Sequence, residues 1–159
     1  MRVSTVVTAL FVTPLFLNVT GAFANAAGLD PKQIQIVTKT FDFLSKKPAA
    51  NAKVVVVAGS ADIATVKSAL PTFTVTEGGL HDVAGAFAVI VNTPDEAKEA
   101  RGINANVLTI GGDVACVTAS ACLIAVQVQP KVTIFVSHAA AQAAGIEFDP
   151  NFKMLITEK

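Results

Sequence analysis

The chain has 159 residues, as many Lys and Arg as Asp and Glu, two Cys, and neither Trp nor Tyr. Formal neutrality with no basic patch to hold phosphates excludes nucleic acid as a natural partner. The missing Trp and Tyr remove common sugar-stacking platforms and interface hot spots, so any binding surface has to be built from Phe, Leu, Val and main chain.

Met1-Arg2 is a short positive start, followed by an apolar run from Val3 to about Thr20 and then the small-x-small steps Ala22-Phe23-Ala24 and Ala24-Asn25-Ala26. That order predicts a secretory signal peptide over residues 1–26, cut after Ala24 or Ala26. The alternative, a retained membrane anchor, needs ~20 apolar residues to span a bilayer, and Pro14 interrupts a run already at the short end. Cleavage leaves residues 27–159 as one α/β domain of about 130 residues, long enough to bury a core. Export would put it in the periplasm.

Asp30 is a good helix cap with Pro31 at the first position. Ile34, Val37, Phe41 and Leu44 then recur at helical spacing up to Lys46-Lys47-Pro48. The uninterrupted run Val54–Val57 predicts a strand buried on both faces. A helix follows over Ala61–Leu70, then an alternating strand Thr72–Thr76 nearer an edge. A second central strand is expected over Ala86–Val91, a charged helix from Pro94 to Arg101, and a strand Asn106–Ile110 closed by Gly111-Gly112-Asp113.

The pattern then changes. Leu123–Val128 and Val132–Val136 are strands separated by Gln129-Pro130-Lys131, a gap so short that it means an antiparallel hairpin. Ser137 can cap a helix over Ala139–Ala144, Gly145 can end it, and an apolar tail containing Phe148, Phe152, Met154, Leu155 and Ile156 packs last. Alternating strands and helices followed by a hairpin predict a three-layer α/β sandwich with a mixed, mostly parallel sheet.

The chemistry-bearing residues are few. Cys116 and Cys122 are the only cysteines, and in an exported protein the pair reads as a disulfide across a tight loop or hairpin end. It is either a structural staple or a redox-sensitive bridge; the spacing is not the C-x-x-C of a catalytic pair. His81, beside Asp82, and His138 are the only histidines, and no spacing brings them together as zinc ligands. Gly59-Ser60-Ala61-Asp62 follows the first strong strand and is either an ordinary turn or a main-chain seat for a small anion. In an open α/β sheet ligands sit beyond the carboxyl ends of the strands. Ser60, Thr93, Gly111, Gly112 and Asp113 are therefore the candidate ligand edge. No acid pair, triad, metal signature or nucleotide-binding glycine motif appears. The sequence thus predicts a non-enzymatic protein without cofactor or metal, with a small-ligand binding module as the alternative reading.

From Val107 onward the chain resembles the YfiR/HmsC family of periplasmic regulators. The carrying residues are the Val107–Ile110 strand, the Cys-bounded loop, the hairpin, and Phe135-Val136-Ser137-His138-Ala139-Ala140-Ala141-Gln142-Ala143-Ala144-Gly145-Ile146. That last stretch is similar to the family's F-x-I-N-x-x-A-A-x-x-A-G-L, with His138 where Asn is frequent. Upstream, Phe41-Asp42-Phe43-Leu44, Pro48 and the Val54–Val57 strand follow the family's order, with Lys47 where Trp is usual. The resemblance implies a regulator of a membrane signalling protein, such as a diguanylate cyclase or a histidine kinase, in cyclic-di-GMP signalling and biofilm control. It also implies a candidate homodimer and a disulfide in the C-terminal region.

Overall fold

The structure, a computed structural model, describes residues 28–159; the expected signal peptide over residues 1–26 lies outside the described residues. Seven strands form one sheet in the order β2-β1-β3-β4-β5-β6-β7. They are β1 (Lys53–Val57), β2 (Thr74–Gly78), β3 (Ala88–Val91), β4 (Leu108–Gly111), β5 (Ile124–Gln127), β6 (Thr133–Val136) and β7 (Ile156–Glu158). The first five run parallel, β6 is antiparallel to β5, and β7 is parallel to β6.

Among the described residues six α-helices cover it: α1 (Pro31–Thr40), α2 (Ile63–Ala69), α3 (Pro94–Ile103), α4 (Val114–Thr118), α5 (His138–Ala144) and α6 (Pro150–Lys153). Two separate cores show why β1 is apolar at every position. Val54 and Val56 pack with α1, α2, α5 and α6 through Ile34, Val37, Val66, Ala140 and Phe152. Val55 and Val57 point the other way, into a core with Ala97 and Ala100 of α3 and Val117 of α4. Successive strand residues face opposite layers, so a strand sandwiched between helices has no polar side. The expected three-layer α/β sandwich is what forms.

The element starts follow their caps. Asp30 accepts the Gln33 amide N–H (2.8 Å) while Gln33 Oε1 accepts the Asp30 N–H (2.9 Å), a reciprocal capping box. Thr93 and Glu96 repeat the device at α3, and Ser137 caps α5 as expected. α2 begins at Ile63 rather than Ala61, because Asp62 takes the cap.

Two expectations are corrected. The stretch between the cysteines is not a simple loop: Asp113 Oδ1 accepts the Ala115 N–H and starts α4, so Cys116 sits on a helix. The apolar tail does more than pack against the end. Asp149 caps α6, Phe152 is buried, and the chain then adds β7 outside the hairpin. A three-residue strand carries too little alternation to be seen in sequence.

Cys116 and Cys122 form a disulfide with Cα atoms 5.1 Å apart. Both are buried beneath the end of β4, where Gly111 leaves the room: a Cβ there would lie 2.6 Å from Cys122 Sγ and 3.3 Å from Cys116 Cβ.

Candidate functional site

The strand order 2-1-3-4-5 changes direction between β1 and β3, and a doubly wound sheet opens its ligand crevice at such a reversal, beyond the carboxyl ends of the strands. Here the chain fills that crevice itself. The Leu29 N–H donates to the Ser60 carbonyl (2.7 Å), and Leu29 bridges to Ala61. Gly28 lies so close to the Gly59 and Ser60 main chain that no side chain fits. The Ser60 hydroxyl is fully buried within reach of the Val57 carbonyl (2.6 Å) and the Ile90 carbonyl (3.0 Å), tying β1 to β3. Asn92 Nδ2 donates to the Ala58 carbonyl (3.1 Å) across the same seam. Ser60 is thereby placed as a structural tie, apart from the lining of the cleft described next.

Of the two readings of Gly59–Asp62, an ordinary turn or a main-chain anion seat, the turn is the one the hydrogen bonds favour. The Asp62 carboxylate accepts the Thr65 hydroxyl (2.5 Å) and the Thr65 N–H (2.8 Å). Those two bonds, the hydroxyl first, hold its pKa below the usual carboxylate value of 3.8.

Two strands further along, the edge opens. A cleft of about 800 Å³ lies beyond the ends of β3, β4 and β5, with Thr93, Gly112 and Asp113 in its lining. Three of the five candidate edge residues therefore meet there. Gly111 lies just beneath, against the disulfide, and Cys116 reaches the cleft floor. The opposite wall is the β5–β6 turn, Gln127 to Gln129.

Gln33 is the residue that pattern reading missed. Its Nε2 donates to the Val126 carbonyl (2.6 Å) and reaches the Gly112 carbonyl (3.4 Å), so one side chain from α1 spans the ends of β4 and β5. The one available signal is its place three residues after Asp30 in a capping box, which fixes where its amide points.

The histidines stay apart from this cleft. His81, its side chain exposed, has Nε2 3.2 Å from Asp82 Oδ2 in a 3-10 turn over Leu80–Val83. His138 opens α5, where its N–H donates to the Lys159 carbonyl. Among the described residues no group of three His, Cys, Asp or Glu side chains is placed to hold a metal.

No protein-family model matches this sequence, and no curated protein matches it.

Proposed function

We propose that this chain is an exported, non-enzymatic regulatory protein that modulates a membrane signalling protein, such as a diguanylate cyclase or histidine kinase, by direct contact. The observation that carries the reading is an exposed apolar group at the outer end of the sheet. Met154 is 78 % exposed, Leu155 65 % and Val132 43 %. The parallel register Ile134↔Ile156 brings the residues just before both strands, Val132 and Met154-Leu155, to one corner. Contiguous exposed apolar side chains mark interaction surfaces more often than isolated ones do. Phe148 and Phe152 of the same apolar tail are buried, so the surface is carried by their neighbours. The resemblance to periplasmic regulators supplies the kind of partner, and a buried disulfide supports an oxidising compartment.

The test is genetic and structural together. Removing the gene from its host should change cyclic-di-GMP level or kinase output, and the wild-type gene should restore it. A Met154→Glu/Leu155→Glu double variant, folded by circular dichroism, should not restore it. No change on removal defeats the regulatory reading; full restoration by the double variant defeats this surface. Intact-mass analysis of the exported protein should find an N-terminus between Asn25 and Gly28, and a mass that retains Met1–Ala24 defeats the localisation.

A further inference from the structure

The cleft at the carboxyl edge is formed by a split within the sheet. β4 and β5 pair at only two positions, Ile110↔Ile124 and Gly111↔Ala125. Beyond them β4 turns away through Asp113 into α4, whereas β5 continues beside β6 as far as Gln127. Gln33 bonds main chain on both sides of the split, and Asp30 bonds Gln33, so the opening is held apart by a completed hydrogen-bond set. Its volume falls within the range of small-molecule sites, roughly 300–1,000 Å³.

The charge around it selects the occupant. No Lys, Arg or His contributes to the lining, whereas Asp30 and Asp113 both do. Helix amino termini ordinarily attract anions, but each one here already has a carboxylate of its own. Asp30 serves α1, Asp113 serves α4, and Glu96 Oε2 accepts the Asn92 (2.7 Å) and Thr93 (3.2 Å) N–H groups ahead of α3. Pro31 and Pro94 remove a further N–H from α1 and α3. A phosphate or carboxylate would find these donors taken and like charge beside it. A donor-bearing cation finds the second oxygens of Asp30 and Asp113, for each of which only one oxygen is engaged by its helix. Val114, Ala115 and Val128 add accessible apolar surface to the same lining, with Val126 and Cys116 buried beneath it.

We propose that this cleft binds a small organic cation: a primary or secondary ammonium on a short apolar body. The proposal does not rest on the Met154–Leu155 surface, and its failure leaves the contact reading untouched.

The experiment titrates 1,4-diaminobutane into the exported, disulfide-bonded protein, followed by amide chemical shifts. Succinate, of equal carbon number and opposite charge, is the control. Saturable shifts at Asp113–Ala115 and Gln127–Gln129 are expected with the diamine and none with succinate. An Asp30→Asn/Asp113→Asn variant keeps both helix caps, since Asn caps as well as Asp, and should bind the diamine at least about tenfold more weakly. That factor corresponds to about 1.4 kcal/mol. Circular dichroism verifies that the variant is folded. Absence of saturable shifts with the diamine, shifts confined to another surface, equal binding of succinate, or undiminished binding by the double variant would each overturn the proposal.

Discussion

The carboxyl edge of the sheet contains two openings of opposite fate. Between β1 and β3, where topology favours a crevice, Gly28–Leu29 lies in the gap and Ser60 ties the strands together. Between β4 and β5, where the strand order does not reverse, the sheet parts and Gln33 holds it open. Topology dictates where an opening is available; which one remains open depends on side chains that reach in from elsewhere in the chain.

The largest expected effect comes from the floor of the open side. Gly111→Val drives methyl groups into the Cys122 sulfur and should cost about 3 kcal/mol by overpacking, read as a lower urea midpoint. A loss under about 1 kcal/mol would mean that the floor yields. Replacing Cys116 and Cys122 by Ser should cost about 2–3 kcal/mol under oxidising conditions, through the chain entropy of a short loop; chemical denaturation with and without reductant measures it. Thiol labelling of the unfolded, unreduced wild type should find no free cysteine.

On the closed side, Ser60→Ala removes the buried hydroxyl between the Val57 and Ile90 carbonyls, while the residue-60 N–H keeps its bond to Val57, and should cost about 1 kcal/mol. Asp113→Asn, on the open side, should shift stability by only a few tenths of a kcal/mol, because an equivalent cap replaces it. The two substitutions sharpen the contrast: one residue builds the fold, the other faces solvent. If their costs prove equal in urea titrations, the distinction between a sealed and an open half collapses.

The smallest effect is in pH. Asp62 carries a lowered folded pKa from its Thr65 bonds. Its stabilising contribution is therefore complete above the unfolded value near 4 and is lost as pH falls through the folded one. Asp62→Asn should flatten that part of the acid limb of a stability-versus-pH curve by lowering the neutral plateau slightly toward the acid value.

The architecture was legible where each residue's burial follows a local period. Val54–Val57 announces a central strand, Asp30-Pro31 and Ser137 announce helix starts, and the three-residue gap Gln129-Pro130-Lys131 is followed by β6 running back along β5. What escaped the sequence depends on distant partners. Asp113 was visible as a turn residue, but its capping of α4 changes a loop into a helix. β7 is short and acquires its identity from β6. The site was legible as an edge: Thr93, Gly112 and Asp113 do gather. Its division into sealed and open halves was hidden, because it depends on Leu29 and Gln33 meeting carbonyl groups far along the chain.

The reversal at the β5–β6 hairpin has a consequence for communication. Because β6 and β7 run against the first five strands, their beginnings come to the same rim as the cleft. Val128 and Gln129 form part of the cleft wall, and Val132, three residues on, begins the exposed corner. One short turn thus belongs to both surfaces. If its position differs between occupied and empty states, the factor by which a ligand alters partner affinity must equal the factor by which the partner alters ligand affinity. The turn would then serve as the shared variable of a reciprocal sensor, with no moving domain required.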